Sequence, residues 1–475
     1  MISKTIQHLS NNPDRFIEKI FGDSLWEMQR DISRSLQDYK RVSIKSCHGS
    51  GKTWLAARIA LQFLYSHPNS KVITTAPSFR QVTDILWREL ANAWNKANGD
   101  YKVLGGSLST TKLNIDDEWF ALGLSTNEPD RFQGFHAENI LLVCDEASGI
   151  KEEIYTASEG ILSSGNSREL LIGNPTNITG TFHRSFELPN YKTFHISAFD
   201  TPNFTEFGIT LEDIKANKWE EKIIGKLPRP YLVTPEWVYD KYLRWGEGSP
   251  MWESRVLGEF PTQGTDTLIP LFKIEEATNK LIESISGDPE NIGCDVARYG
   301  DDKTVFLYRK GATVLDIKTY TLQDTVQTAN NLFNYMSSRP YAFTRIDGVG
   351  VGAGVVDTIK RLARFKTYED VNVGKASQKP ELFKNLRAEI YWNLRERFIN
   401  GDISIPDDDE LKSQLASIKY FYTIKGQVEM ESKEDMKKRG LPSPDKADAL
   451  ALAFMSGKIE SGILQFASMY NKNNG

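Results

Sequence analysis

The sequence predicts an α/β protein of more than one domain, and three sets of residues carry that prediction. Residues 45 to 54, KSCHGSGKTW, join a β-branched run to an amphipathic segment through a glycine loop. Residues 139 to 148, NILLVCDEAS, form an apolar run of strand length that ends in two acids. In the second half, Asp295, Asp347, Asp445 and Asp448 fall in or at the ends of strand patterns and at a helix start.

The glycine loop has a strict physical requirement behind it. Backbone N–H groups at a helix N-terminus wrap phosphate oxygens, a lysine reaches the β- and γ-phosphates, and a hydroxyl holds Mg²⁺. The usual G-x-x-x-x-G-K-[ST] spacing is kept by Gly51, Lys52 and Thr53, with Ser46 in the first slot and Gly49 and Ser50 in the loop. RVSIKS, 41 to 46, predicts the strand before it. TWLAARIALQFLY predicts the helix after it, with Leu55, Ile59 and Phe63 on one face. ATP is the expected ligand.

Further segments alternate strand and helix. KVITTAP (71–77) reads as a buried strand, and the helix predicted after it carries Val82, Ile85, Leu86 and Leu90. WFALGLS (119–125) alternates as a strand. The continuous apolar run at 139 suits a parallel strand buried on both faces, whose C-terminal end opens on the ligand crevice. Asp145 is placed there to hold Mg²⁺ and Glu146 to polarise the attacking water. RELLIGNP (168–175) predicts a neighbouring strand, whose Asn174 either senses the γ-phosphate or simply starts a turn. Upstream, Gln29 is a candidate for the adenine edge, with Phe21 or Trp26 against the ring; a plain amphipathic helix is the competing reading. These elements predict a parallel sheet covered by helices over residues 1–202.

From 203 to 286 proline and glycine breaks predict a connector, and 287–475 a second domain. NIGCDVARYGDDKTVFLYRKGATVLDIKTY (291–320) reads as three strands, with Asp295 inside the first and Asp301 and Asp302 in the turn. A buried acid is costly unless charge-compensated, so a cation is expected beside Asp295. YAFTRIDGVGVGAG (341–354) is a strand ending in Asp347. SPDKADALALAF (443–454) opens a helix with Asp445 and Asp448 on one face, although Asp445 also reads as an N-cap. Acids from a central strand, a neighbouring strand and a helix start suit a two-metal nuclease using Mg²⁺ or Mn²⁺. The glycines at 348–354 lack the spacing of a dinucleotide fingerprint. Lys433, Lys437, Lys438 and Arg439 form a basic cluster that either contacts a nucleic-acid backbone or is a solvated face. Residues 374–398 predict a long amphipathic helix.

The chain has 475 residues, 40% hydrophobic and 25% charged, with net charge −5, so any nucleic-acid surface is a local patch. No apolar run approaches the ~20 residues of a membrane span, and MISKTIQHLSNNPDRF has no signal-peptide core, so an intracellular protein without membrane contact is expected. Cys47, Cys144 and Cys294 are too few and scattered for a disulfide framework and read as core residues.

Taken in order, GSGKT (49–53), LLVCDEAS (141–148), GNP (173–175), CDVARYGDDKT (294–304), IDGVGVGAG (346–354) and SPDKADALALAF (443–454) resemble the large terminase subunit of tailed bacteriophages or prophages. The resemblance implies an N-terminal RecA-like packaging ATPase and a C-terminal RNase H-like nuclease with a mixed sheet. It implies that Lys52, Thr53, Asp145 and Glu146 run ATP hydrolysis. It further implies that Asp295, Asp347 and Asp448 ligate the nuclease metals, with Asp301 and Asp445 assisting. Double-stranded DNA, a small terminase subunit, a portal on a procapsid and a ring of copies, a pentamer, are the implied partners. The implied location is the host cytoplasm, outside the mature virion. One departure is His48, where many family members carry a loop Arg. A second cation for the transition state is then needed, and Arg131 is the candidate, supplied in trans, unless it pairs locally with Glu128 or Asp130. A helicase-nuclease of repair or defence is the competing function; it would need a second RecA-like domain, for which 203–290 is too short and irregular.

Overall fold

The computed structural model describes residues 8–99, 104–125, 129–132, 134–262, 266–283, 285–297, 302–348, 350, 352–363 and 367–455. Two compact units result. The first comprises Met1–Leu243 and Pro250–Thr262, the second Arg244–Ser249 and Gln263–Gly475. The stretch expected as a connector, 203–286, is divided between them. Phe204, Ile214, Trp219 and Val238 are buried there, and buried apolar side chains tie a segment to a core however irregular its backbone.

The first unit carries an eight-stranded sheet in the order β3-β4-β5-β2-β6-β7-β1-β8. Its strands are β1 (Arg41–Ser46), β2 (Lys71–Thr75), β3 (Ser107–Leu108), β4 (Lys112–Asp116), β5 (Trp119–Gly123), β6 (Asn139–Asp145), β7 (Asn166–Gly173) and β8 (Lys192–Ile196). From β5 to β8 all neighbours are parallel; β3 and β4 extend one edge in antiparallel fashion. Ile140 to Cys144 of β6 are all buried, as the continuous apolar run predicts for a strand covered on both faces. The helix Lys52–Ser66 follows β1 directly and buries residues on almost every side.

One element departs from its predicted pattern. The helix after β2 opens with a π turn over Val82–Leu86 before the α-helix Trp87–Asn98. Val82, Leu86 and Leu90 are buried, whereas Ile85, expected on the same face, is about half exposed. Val82, Leu86 and Leu90 repeat every four residues, and the wide turn carries Ile85 off that line.

The second unit has a five-stranded mixed sheet, β11-β10-β9-β12-β13. The strands are β9 (Glu290–Asp295), β10 (Thr304–Lys310), β11 (Thr313–Tyr320), β12 (Phe343–Asp347) and β13 (Tyr368–Val371). β9, β10 and β11 run antiparallel, as three strands in sequence suggest, while β12 runs parallel to β9 and β13 to β12. A small hairpin pairs β14 (Tyr420–Tyr422) with β15 (Val428–Met430). The helix expected over 374–398 begins later, at Leu386–Asn400. Pro380 interrupts the earlier stretch, and the Asn385 side chain caps the start by accepting from Ala388 N at 2.9 Å.

Helix Asp445–Ala453 lies directly on β9, and Gly293 permits the approach. A Cβ at Gly293 would stand 1.9 Å from the Ala449 carbonyl oxygen. Asp445 is the first helical residue after Pro444, not the N-cap expected of it; Pro444 offers no side-chain acceptor, and the Asp445 carboxylate is turned to another donor, described below. All three cysteines are buried and unpaired, as expected of core residues. Among the described residues, no helix is long and apolar enough to cross a membrane.

Candidate functional site

Two groups of chemistry-bearing residues form, one in each unit. In the first, sheet order sets the geometry. β7 lies between β1 and β6, so parallel strands bring Ser46, Gly173 and Asp145 to the same sheet end. Asn174 then falls between the glycine loop and the acid pair. Gly173 is required there, since a Cβ would come within 2.9 Å of Ala147 N and 3.2 Å of the Glu146 backbone.

Lys52 Nζ stands 3.0 Å from Glu146 Oε1 and donates to Asn174 Oδ1 at 3.1 Å. Burial alone would lower its pKa, but the carboxylates of Glu146 and Asp145 outweigh burial and raise it, so the ammonium stays charged. Thr53 Oγ1 donates to Asp145 Oδ2 at 2.9 Å, which joins the two side chains expected to hold Mg²⁺. Burial and the Glu146 charge push Asp145 up to about 7, against the opposing pull of Lys52 and Thr53. Such a carboxyl favours a nearby cation, because added positive charge restores its ionised form. For Glu146, burial is outweighed by Lys52 and its pKa falls. Glu146 also holds left-handed backbone angles, φ 48° and ψ 45°, an uncommon conformation for a non-glycine residue.

Asn174 is the hinge of this site. Its Nδ2 donates to Ser46 O at 2.6 Å, its Oδ1 accepts from Lys52, and its backbone N–H faces Glu146 Oε2 at 3.4 Å. The side-chain amide therefore touches the loop and the lysine, and the backbone N–H of the same residue touches the acid. Ser46, in the slot of the missing glycine, is fully buried, and its hydroxyl accepts from Ser50 Oγ at 3.1 Å, bracing the loop from within. His48 is exposed and stacks on Trp237 with centroids 6.0 Å apart. Gln29 is buried beside the loop, its Nε2 3.1 Å from where a Gly51 Cβ would stand. Phe21 is buried against Phe16 in the core and cannot cover a ring; Trp26 is half-buried. Arg131 lies exposed in the short turn Pro129–Phe132, anchored by fully buried Phe132.

A substitution tests the packing at the sheet end. Gly173→Ala is expected to destabilise the unit by about 1–3 kcal/mol, the cost of overpacking, and to displace Glu146. Thermal unfolding checks it; an unchanged midpoint would show that the strand end has room.

In the second unit, parallel β9 and β12 place Asp295 and Asp347 at neighbouring strand ends. The Gly293 contact sets the start of helix Asp445–Ala453 over them. Lys433 Nζ stands 2.7 Å from Asp448, 3.6 Å from Asp295 and 3.8 Å from Asp445. Asp448 Oδ1 also accepts from Tyr391 at 2.6 Å and lies 3.8 Å from Arg387. Asp445 instead accepts from Lys303 N at 2.6 Å, and Lys303 Nζ is held by Glu410. Asp347, Tyr391, Arg387, Lys433 and Asp448 line one cavity of about 270 Å³.

Electrostatics separates these acids. Burial and the surrounding aspartates hold the Asp295 pKa well above the carboxylate range, despite Lys433. Burial also acts on Asp448, but Lys433 and Arg387 outweigh it and lower its pKa. A cation beside Asp295 was expected, and the Lys433 ammonium stands 3.6 Å from it. Asp301 lies outside the described residues, and among those described no three acids, histidines or cysteines are grouped closely enough to hold a metal ion. The donors are nevertheless all carboxylate oxygens, which suit Mg²⁺ or Mn²⁺, and Asp295 lacks enough positive charge to ionise readily. The chemistry of the donor set fits a divalent ion.

Sequence reasoning missed Lys433, Arg387 and Tyr391 as parts of this site. Lys433 belonged to the basic cluster, and Ser432 caps its helix by accepting from Asp435 N at 3.1 Å, a legible start signal. The rest of the cluster is engaged elsewhere: Lys437 with Asp302, Lys438 with Asp435, and Arg439 doubly with Glu431. Arg387 and Tyr391 sit on a helix whose local pattern is merely amphipathic.

A unit whose largely parallel sheet carries a glycine loop and an acid pair, in one chain with a mixed-sheet unit of clustered aspartates, defines a two-site α/β protein. The chain resembles phage large terminase subunits over nearly its whole length. It is 24% identical over 468 residues to a probable terminase large subunit of Enterobacteria phage P7, covering 93% of this chain and 90% of that protein. Among solved structures, the bacteriophage HK97 large terminase is 14% identical at a TM-score of 0.39, covering 94% of this chain and 99% of that one. The nuclease domain of the Sf6 large terminase subunit, a mutant solved with manganese and beta-thujaplicinol, is 23% identical at a TM-score of 0.37 and covers 40% of this chain and 99% of that one. A comparison with protein-family models finds no match.

Proposed function

We propose that this chain is the motor and cutting subunit of a viral DNA-packaging machine. It hydrolyses ATP in the first unit to drive double-stranded DNA into a procapsid, and cuts concatemeric DNA in the second. The observation that carries the reading is the three-way contact of Lys52, Asn174 and Glu146 in a chain that also gathers Asp295, Asp445 and Asp448 around Lys433. A phosphate-loop site and a separate cluster of acids in one chain are what translocation with cutting needs.

In the ATPase unit, loop amides from Gly49 to Thr53 hold the phosphates. Thr53 and Asp145 would hold Mg²⁺, which neutralises phosphate charge when bound. Glu146 orients the attacking water. Lys52 pairs with Glu146 and Asn174, so a phosphate accepting from Lys52 competes for the same ammonium and loosens the hold on the acid. Asn174 carries that change to the loop through Ser46. In the nuclease unit Asp295, Asp347 and Asp448 would hold Mg²⁺ or Mn²⁺, which supplies a nucleophilic hydroxide and offsets phosphate charge when bound. Asp445 and Asp301 assist, and Tyr391 and Arg387 fix the Asp448 carboxylate.

The proposed partners are duplex DNA, a small terminase subunit and the portal of a procapsid, in the cytoplasm of the bacterial host and not in the mature virion. The active form is a ring, as a pentamer. Arg131 would enter the neighbouring copy's ATP site, where a guanidinium supplied in trans is worth roughly 10³–10⁵ in rate. Mixing Arg131→Ala with Lys52→Ala, each inactive alone, is expected to restore part of the ATPase activity on an assembled ring. No recovery, or normal ring-stimulated turnover by Arg131→Ala, would remove Arg131 from the mechanism. The function itself is tested by ATP-dependent protection of DNA from added nuclease in the presence of cognate procapsids; no protection would overturn the motor reading.

A further inference from the structure

The helix that carries Asp445 and Asp448 starts without a cap of its own. Pro444 precedes it and offers no side-chain acceptor. The first amides of a helix have no carbonyl of their own helix to meet, and acids in the first turn are drawn to them. Asp445 and Asp448 are nonetheless turned elsewhere: Asp445 Oδ2 accepts from Lys303 N at 2.6 Å, and Asp448 Oδ1 from Tyr391 at 2.6 Å. The missing acceptor comes from another helix, Asp409–Ser417. Its Gln414 Oε1 accepts from Lys446 N at 2.9 Å and from Ala447 N at 3.1 Å. Gln414 is 4% exposed and both bonds are buried, so water does not compete for the place.

One turn before Gln414, on the same face of that helix, Glu410 makes a second grip. Its carboxylate takes Lys446 Nζ at 3.0 Å and Lys303 Nζ at 2.6 Å. Lys446 Nζ also donates to both oxygens of Asp408, at 2.9 and 2.6 Å. Asp408 Oδ1 in turn caps the Gln414 helix by accepting from Leu411 N at 2.9 Å. Lys303 is the residue whose backbone N–H meets Asp445, so Glu410 holds both the helix start and the segment that Asp445 accepts from. A buried polar group left unpaired is expensive, and two orphaned amides would draw in the nearest carboxylate. Neither Gln414 nor Glu410 is among the acids expected to hold metal.

We propose that Gln414 is a positioning residue of the nuclease site, with Glu410 as its second anchor. By satisfying Lys446 N and Ala447 N, it leaves the carboxylates of Asp445 and Asp448 free for a divalent ion. The inference rests on the proposed use of Mg²⁺ or Mn²⁺ by these acids and adds the residues that orient them. Groups that orient metal ligands commonly cost about 10–100-fold in metal affinity when removed. With its Oε1 committed to two amides, Gln414 acts on the ion only through the acids.

The test is calorimetric titration of the full-length protein with Mn²⁺, beside plasmid cutting measured over a range of Mn²⁺ concentrations. The binding event that disappears in Asp295→Asn reports this site. Gln414→Leu, similar in size but without an acceptor, is expected to weaken that event by about tenfold. It should shift half-maximal cutting to about tenfold higher Mn²⁺, with the rate recovering at saturation. Gln414→Glu, which keeps an acceptor oxygen, should bind Mn²⁺ as the parent does. Glu410→Gln, nearly isosteric, is expected to need more Mn²⁺ as well, and it replaces Gln414→Leu in the test if that protein does not fold. Unchanged Mn²⁺ affinity in the variant tested would overturn the inference alone. A loss in Gln414→Leu that Gln414→Glu shares would also overturn it, by showing that packing and not the acceptor matters. If Asp295→Asn removed no Mn²⁺ binding from the parent, the metal reading of the site would fall, and this inference with it.

Discussion

Lys52→Ala is expected to reduce ATP turnover below detection, and Glu146→Gln to reduce it by at least ~10²-fold, while divalent-metal-dependent cutting of plasmid DNA persists in both. The two substitutions fail for different reasons. Lys52 is the buried ammonium shared by Glu146 and Asn174, so its loss leaves an acid buried without its main counter-charge and removes the group that would meet the phosphates. Glu146→Gln keeps the size of the side chain and can still accept from Asn174 N, but it cannot accept a proton from water. Binding should therefore survive in Glu146→Gln and be weakened in Lys52→Ala. The measurements are ATP turnover, ATP affinity and plasmid nicking on the same preparations. Turnover by Glu146→Gln at the parent rate would remove Glu146 from its role. Loss of plasmid cutting in both variants would contradict the assignment of the two activities to separate sites.

Much of this arrangement was legible because its signals are local. A phosphate loop needs fixed spacing between strand, glycines and helix, so RVSIKS and GSGKT placed β1 and the Lys52 helix with their boundaries almost unchanged. The unbroken apolar run Ile140 to Cys144 announced a strand buried on both faces and put Asp145 and Glu146 at its end. What escaped notice depends on contacts distant in sequence. Lys433 meets Asp295 across more than a hundred residues, and no periodicity records that meeting. Tyr391 and Arg387 are ordinary members of an amphipathic helix until the fold lays that helix beside Asp448. The segment 229–233 is an extreme case: it reads as proline- and glycine-broken connector, and the buried Asn203 amide gives it a fixed place. Where a side chain's partner lay within a few residues, sequence sufficed; where burial chose the partner, it did not.

Asp295→Asn is expected to abolish metal-dependent cutting while ATP turnover stays at the parent rate. Asparagine is nearly isosteric with aspartate, so the β9 end should keep its packing. Burial and the neighbouring aspartates already hold the Asp295 pKa well above the carboxylate range, which means the fold gains little from its charge. Its thermal midpoint should accordingly be unchanged or higher, unlike that of a variant that removes a stabilising ion. What disappears is the capacity to ionise beside a divalent ion, and with it one of the carboxylates that would hold that ion. Asp347→Asn should behave alike. Mn²⁺ should support cutting by the parent at least as well as Mg²⁺, because it tolerates looser geometry, and Ca²⁺ should not support it. Little sequence preference is expected among the products, since contacts to phosphates carry no base information. Undiminished cutting by Asp295→Asn would sink the nuclease site; loss of cutting together with a collapsed thermal midpoint would instead make Asp295 a structural acid, and the pairing of lost activity with retained stability is the result that separates the two.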